Sequence, residues 1–195
     1  EGYVRDPELV INFYNERRKQ LLDVEPNAGH TGLAELEKDF NVTVVTQNVD
    51  NLHERAGSTH VIHLHGELTK VCSSRDPYNP RYVRELKPEE YEVKMGDKAG
   101  DGSQLRPFIV WFGEAVPEIE TAIGYVEKAD IFVIIGTSMN VYPAAGLLNY
   151  VPRTAEVYLI DPKPVDIHSM RRIHVIQKGA SEGVKELQSL LFTPL

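Results

Sequence analysis

Hydrophobic positions recur with two different periods along this chain. Asp6-Pro7 supplies a helix cap followed by proline at the first helical position. Val10, Phe13, Tyr14, Arg17 and Leu21 then follow helical spacing. A second helix begins near Asn27 and carries Leu33, Leu36 and Phe40 on one face. Residues 42–47 read as a buried strand, 49–56 as a short helix closed by a left-handed cap at Gly57, and 61–65 as the next strand. From Cys72 to Arg106 the periodicity lapses into a polar stretch rich in Pro, Tyr, Lys, Glu and Gly, with one short helix near 87–94. A strand at 108–112 and a helix at about 117–128 follow. The continuous apolar run Ile131–Ile135 suits a central parallel strand covered on both faces. A helix at 143–151, strands at 157–161 and 174–176, and a helix at 181–192 complete the chain. Strands alternating with helices predict an α/β fold with a mostly parallel sheet.

Composition narrows the function classes. The chain has 195 residues, 42% hydrophobic and 26% charged, enough for a buried core. A net charge of -8 argues against a general nucleic-acid binder. It is compatible with a basic peptide partner and with simple solubility. One cysteine, Cys72, allows neither a disulfide framework nor a four-cysteine zinc site, and suggests a reducing, cytoplasmic setting. No apolar stretch approaches the roughly 20 residues of a membrane span. The chain opens without an initiator Met, as though in mid-protein.

Two polar clusters come off strand ends. Thr46-Gln47-Asn48-Val49-Asp50-Asn51-Leu52-His53 follows the first strand, and His63-Leu64-His65-Gly66-Glu67-Leu68 ends the second. That edge of an open α/β sheet is where ligands bind. An amide, a carboxylate and an imidazole there suffice for orientation and general-base chemistry. Asn48 and Asp50 could equally cap the short helix. His63 and His65, two apart in a strand, would point the same way. One catalytic His with the other packed fits them better than a metal pair. Gly136-Thr137-Ser138 and Asp161, each at a strand end, suggest a nucleotide across the sheet edge. Tyr14 and Arg17 are spaced i, i+3 on a helix. The Arg needs a carboxylate, either internal or on a ligand.

These motifs resemble the sirtuins, the NAD-dependent protein-lysine deacylases. The resemblance rests on Thr46–His53 with Ala56-Gly57, on His65-Gly66-Glu67-Leu68, on Arg106–Glu114, on Gly136-Thr137-Ser138 and on Val141-Tyr142-Pro143-Ala144-Ala145. Phe13-Tyr14-Asn15-x-Arg17-Arg18 and Pro26-Asn27-Ala28-x-His30 are similar to the bacterial desuccinylase/deacetylase-type branch, class III. The resemblance implies a Rossmann-like domain over 1–71 and 107–195, with the acyl-pocket helix at its start and a small inserted subdomain at 72–106. It implies NAD as cofactor, acyl-lysine proteins as substrate, and deacylated lysine, nicotinamide and O-acyl-ADP-ribose as products. His65 would be the general base. Gln47 and Asn48 would hold ribose and the reacting water, and Asp50 the nicotinamide carboxamide. Gly136, Thr137 and Ser138 would bind ribose-phosphate, with Asp161, where the family usually has Asn, and Ala180 near the adenosine. The peptide would add as a strand between Gly113-Glu114-Ala115 and Met139-Asn140-Val141, with Phe112 and Tyr142 beside it. Val110 and Trp111 would line the acyl-lysine tunnel. Tyr14 and Arg17 would bind the distal carboxylate of succinyl- or malonyl-lysine.

Two departures accompany the resemblance. Most sirtuins hold zinc with four cysteines in the region of 72–106. With Cys72 alone, no metal is expected, and Tyr78, Tyr82 and Tyr91 become the candidate anchors of the insertion. The family's glycine-rich phosphate loop and first βα unit precede the residue at which this chain begins, and a preceding segment is expected in the native protein. A non-catalytic NAD or ADP-ribose binding module and an ADP-ribosyltransferase are the alternative functions, and a monomer is expected.

Overall fold

The structure, a computed structural model, describes residues 2–137, 144–165 and 171–192. In chain order the elements are α1 (Gly2–Arg5), α2 (Pro7–Leu22), α3 (Ala28–Leu36), β1 (Val44–Thr46), α4 (Leu52–Arg55), β2 (Val61–His63), β3 (Gly66–Ser73) and β4 (Arg84–Glu85). Then come β5 (Leu105–Ile109), α5 (Ile119–Val126), β6 (Ile131–Ile135), α6 (Ala144–Leu147), β7 (Glu156–Ile160), β8 (His174–Ile176) and α7 (Ala180–Phe192). Contacts divide the chain into two compact units. Glu1–Glu25, Thr46–Asn51 and His63–Pro117 form the first; Pro26–Val45, Leu52–Ile62 and Glu118–Leu195 form the second. This division cuts across the segments 1–71, 72–106 and 107–195.

The strands lie in three sheets: β1-β2, β4-β3-β5 and β6-β7-β8. β6, β7 and β8 are parallel. β1 and β2 exchange bonds from Val44 N–H to the His60 carbonyl and from Leu64 N–H to the Thr46 carbonyl. The two bonds advance in the same direction along both strands, as in a parallel pair. β3, β4 and β5 are antiparallel. Parallel pairing is therefore the majority, as expected.

The first unit is built around α2. Asp6 caps it by accepting from Leu9 N–H, with Pro7 opening the helix. Its buried face is Ile11, Asn15, Arg18 and Leu21, rotated from the stripe through Val10, Phe13 and Arg17. The reason is polar. Asn15 Nδ2 donates to the Val93 carbonyl at 2.8 Å, and Val93 N–H donates back to Asn15 Oδ1 at 2.9 Å. Arg18 Nε donates to the Tyr91 carbonyl at 2.7 Å, Nη1 to the Leu68 carbonyl at 3.4 Å and Nη2 to Asn15 Oδ1 at 2.6 Å. Unpaired backbone groups in an irregular segment are costly to bury, and these side chains satisfy them. Burial of the Arg18 guanidinium lowers its pKa to about 10.

The stretch read as a polar insertion is more ordered than its composition suggests. It holds β4 and the start of β5, which runs on into the region of the expected 108–112 strand, and both pair with β3, which periodicity missed because a register irregularity between Gly66 and Val71 breaks the alternation. Val71, Leu86, Val93, Ala99 and Leu105 form a core with Ile11. The helix expected at 87–94 is one 3₁₀ turn, Pro88–Glu90, after which residues 91–93 run as backbone against α2.

In the second unit β7 is the central strand, with Val157 through Ile160 buried. The apolar run of β6, expected at the centre, has a strand partner on one edge among the described residues. Its Ile131, Val133 and Ile135 are half-buried and pack on the Leu36, Tyr158, Ile160, Val184 and Leu187 cluster. α3 is capped by a box in which Asn27 Oδ1 accepts from Gly29 and His30 N–H while His30 Nδ1 accepts from Asn27 N–H. It packs on α7 across Gly29 and Gly32, where a Cβ would meet Ala180 and Val184. The helix expected at 143–151 is α6 followed by a 3₁₀ turn, Leu148–Tyr150.

Candidate active site

The first unit brings the two polar stretches together. Leu64 N–H donates to the Thr46 carbonyl at 2.9 Å and Leu68 N–H to the Val49 carbonyl at 2.7 Å. His63 Nδ1 lies 3.1 Å from the Asn48 carbonyl oxygen. A carbonyl can only accept, so Nδ1 carries the proton. His63 is thus the packed histidine of the pair.

His65 is not on a strand. β2 ends at His63, and Leu64-His65 turn into β3 at Gly66. The two imidazoles therefore do not share a strand face, contrary to the two-residue spacing. Gly66 explains the turn. Its φ is +85°, and a Cβ would collide with the Phe108 carbonyl oxygen. The His65 carbonyl accepts from Val110 N–H at 2.9 Å, which pins its backbone at the end of β5. His65 itself is half-buried.

Helix capping does not account for Asn48. α4 starts at Leu52, later than the 49–56 helix the sequence suggested. Asn48 is exposed; its N–H donates to Thr46 Oγ1 at 3.0 Å, and Gln47 and Asp50 are half-buried beside it in the chain. Gly57 closes α4 at φ +106°, as expected.

β5 ends at Ile109, so Val110, Trp111 and Phe112 lie beyond it instead of on a strand. Trp111 to Glu114 form a closed turn. Glu114 N–H donates to the Trp111 carbonyl at 3.0 Å, and Trp111 N–H donates to Glu114 Oε2 at 2.9 Å. Gly113, at φ +88°, supplies the left-handed residue, and Phe112 is fully exposed at the tip. Glu114 also accepts from Arg106 at 2.9 and 3.1 Å and from the Tyr78 hydroxyl at 2.8 Å. Burial opposes its charge, but these bonds outweigh burial and hold its pKa below the usual carboxylate value. Arg106 has no role assigned from sequence, and Tyr78 is expected there only as an anchor of the insertion, not as a partner of Glu114. The only signal was the Arg106-Pro107 start of a motif.

On α2, the Tyr14 hydroxyl accepts from the Trp111 indole Nε1–H at 3.1 Å. Arg17 is exposed, reaches Gln20 Oε1 at 3.5 Å and lies 5.2 Å from the Phe13 ring centroid. Among the described residues it has no carboxylate partner.

The second unit carries the other expected positions. Gly136 follows β6 at φ +59°, with nothing within 4 Å of where a Cβ would stand, and its N–H donates to the Ile160 carbonyl. Thr137 is half-buried. Asp161 follows β7, and its Oδ1 accepts from Lys163 N–H at 2.8 Å, so it also forms a turn. Ala180 is the first residue of α7. Ser138, Met139, Asn140, Val141 and Tyr142 lie outside the described residues.

Cys72 is buried. Its Sγ donates to the Pro107 carbonyl at 3.7 Å, and burial pushes its thiol up to about 11. The donors around it do not fit a four-thiolate zinc site. The neighbouring Ser73 Oγ instead donates to Asp101 Oδ2 at 2.6 Å and accepts from Arg75 and Asp76 N–H. Tyr78 anchors the insertion as expected, through Glu114 and an edge contact with Phe108. Tyr82 lies against Gly100, while Tyr91 contributes its carbonyl to Arg18.

An α/β scaffold that brings amide, carboxylate and imidazole residues to strand ends belongs to the ligand-binding class. The Sir2 family model matches residues 1–143, and the chain belongs to the Sir2 family. It is 84% identical over 191 residues to an NAD-dependent protein deacylase of Bacteroides thetaiotaomicron, covering 98% of this chain and 82% of that protein. It is 47% identical over 190 residues to an NAD-dependent protein deacylase of Helicobacter pylori, covering 97% and 80%. Among solved structures, a Sir2 homolog–NAD complex superposes with TM-score 0.81 at 34% identity, covering 97% of this chain and 75% of that one. A Sir2–p53 peptide–NAD+ complex gives TM-score 0.77 at 29% identity, covering 96% and 79%.

Proposed function

We infer that this chain is an NAD-dependent protein deacylase acting on acylated lysine. The observation that carries this reading is the 84% identity, across nearly the whole chain, to a protein of that name. The donor set fits the dinucleotide. In the first unit the amides of Gln47 and Asn48 and the carboxylate of Asp50 could bond ribose hydroxyls and a carboxamide; in the second, the Thr137 hydroxyl and the Asp161 carboxylate could bond ribose hydroxyls. Gly136 leaves open space at the end of β6. Bound NAD supplies an anomeric carbon whose leaving group is nicotinamide.

The residues of the chain then divide the work. His65 is the general base and takes the proton of a ribose hydroxyl on its imidazole. The Val110 N–H holds the His65 main-chain carbonyl at the end of β5. Gln47 and Asn48 orient ribose and water, and Asp50 receives the carboxamide. Val110 and Trp111 wall the acyl-lysine tunnel, and the edge at Gly113-Glu114 receives the peptide as an added strand.

The acyl preference includes acidic groups, with Tyr14 and Arg17 binding the distal carboxylate. Support comes from Arg17, which is exposed and free of any internal carboxylate among the described residues, as a ligand-binding guanidinium must be. The enzyme works in the cytoplasm as a monomer.

The test is turnover with NAD and acetyl-, succinyl- and malonyl-lysine peptides. Deacylated peptide with nicotinamide release supports the reading; NAD binding without turnover would overturn it. Arg17→Met should lose mainly desuccinylation and demalonylation. Equal loss on acetyl peptide would remove Arg17 from acyl recognition.

A further inference from the structure

Tyr14 does not stand alone on α2. Its oxygen accepts the Trp111 indole N–H at 3.1 Å, and the two rings lie 6.5 Å apart at a tilt of 36°. An indole N–H can only donate. One acceptor position of the Tyr14 oxygen is therefore taken, and the phenolic proton is left to seek an acceptor elsewhere. A carboxylate is such an acceptor.

Trp111 is in turn held from several sides. The Arg106 guanidinium lies 3.9 Å from its ring centroid, and the Tyr3 ring lies 5.1 Å away. A cation over an indole face is a favourable contact, more so when desolvated, and the Arg106 side chain is 5% exposed. Arg106 is bound bidentately by Glu114, which also holds the Trp111 main-chain N–H. Tyr78, from the insertion, donates to the same carboxylate. Burial and Glu114 push the Tyr78 hydroxyl up to about 12, so it stays protonated as a donor. The indole is thus fixed by its face, its backbone and its N–H.

We propose that Trp111 is a specificity-determining positioning residue. Its indole N–H, held in place by the Arg106–Glu114–Tyr78 clasp, orients the Tyr14 hydroxyl as a donor to the distal carboxylate of an acidic acyl-lysine. This role rests on the acidic-acyl reading above and adds to it a residue that sets the direction of the Tyr14 bond.

The experiment compares Tyr14→Phe, Trp111→Phe and the double variant. Tyr14→Phe keeps the ring and deletes the hydroxyl. Trp111→Phe keeps an aromatic face for Arg106 and deletes the donor. Both are assayed for kcat and KM with NAD on succinyl- and acetyl-lysine peptides. Each single variant should lower the succinyl-to-acetyl ratio of kcat/KM by about tenfold, mainly through KM for the succinyl peptide. The double variant should fall no further than Tyr14→Phe, because the two changes remove one coupled interaction. Independent effects, with the double variant down about a hundredfold, overturn the proposal. Equal losses on both peptides overturn it too.

Trp111 is the one tryptophan of the chain, so emission reads this site alone. Tyr14→Phe should shift that emission in the absence of substrate. Unchanged emission overturns the coupling, even if Trp111→Phe fails to fold. A wild-type protein that releases acetyl but neither succinyl nor malonyl groups overturns the acidic-acyl reading and this proposal with it. That outcome is distinct from a desuccinylating wild type whose two variants act independently.

Discussion

The two units solve the same problem with different materials. In the second, a parallel sheet pairs the backbone, and apolar side chains fill the space. Val157, Leu159 and Ile160 are almost wholly buried, and glycines let the helices close in, with Gly183 over Ile160 and Gly32 against Val184. The first unit has a smaller apolar cluster and much irregular backbone. It buries polar side chains instead: Asn15, Arg18, Ser73 and Arg106 are each 5% exposed or less. Two of them, Asn15 and Arg18, bond main-chain groups of a distant segment, residues 91–93, while Arg106 bonds the Ile109 carbonyl three residues on in its own strand. Where a ladder does not satisfy the backbone, helix and loop side chains must.

One substitution made in both units breaks the comparison most sharply. Gly66→Ala places a Cβ on the Phe108 carbonyl at a left-handed φ, and backbone cannot step aside. We expect destabilisation of about 4 kcal/mol or more, together with loss of deacylation because His65 is adjacent. Gly183→Ala meets the Ile160 methyl instead, which can shift with its side chain. Overpacking of that kind costs about 1–3 kcal/mol. Denaturant midpoints of the two variants check the order; equal losses would mean that the backbone approach at Gly66 is no tighter than side-chain packing.

Between those two falls Arg18→Met. It keeps the aliphatic stem and deletes the guanidinium, leaving the Tyr91 and Leu68 carbonyls without that donor. About 3 kcal/mol should be lost, since buried acceptors left unsatisfied each cost roughly 1–3 kcal/mol. A loss near that of an average surface change, about 0.5 kcal/mol, would show that the apolar cluster alone holds the insertion.

The same contrast governs what the sequence reveals. Val157-Tyr158-Leu159-Ile160 and the Leu33, Leu36, Phe40 stripe are legible because apolar burial leaves a period. Asn15 and Arg18 leave none. On α2 they look like solvent positions, and only the distant backbone of 91–93 makes them core. β3 escaped notice because its irregular register spoils alternation. β6 looked central because its run is uniformly apolar, yet strand order is a tertiary fact. At the site, the residue types at the strand ends pointed to a ligand, but the turn at His65 depends on the close approach of Phe108 to Gly66. The Arg106–Glu114 clasp likewise joins residues whose roles neither spacing nor type declared.

The smallest effect concerns two charged side chains, one in each unit. Lys178 and Glu186 form a half-exposed ion pair at 2.6 Å in the second unit, the kind of pair that contributes little. Asp101 in the first unit is tied differently. Its carboxylate accepts from the Ser73 hydroxyl at 2.6 Å, the Ser103 hydroxyl at 2.7 Å and the Ser103 N–H at 3.0 Å. Those bonds, Ser73 first, hold its pKa down to about 2 from the usual 3.8. A carboxyl depressed by folding contributes stability above its unfolded value and loses it as pH falls through the folded one. The contribution of Asp101 is therefore full at neutral pH and disappears between about pH 4 and pH 2. Asp101→Asn should lower the thermal midpoint slightly at pH 7, and the gap to the wild type should close by pH 2. Lys178→Met should leave the midpoint within error at pH 7, because a half-exposed pair offsets its own desolvation and ordering costs. If the Asp101→Asn gap is as wide at pH 2 as at pH 7, ionisation is not what ties residues 101–103 to Ser73. The two charges would then be equivalent, and the polar knot would owe its strength to shape alone.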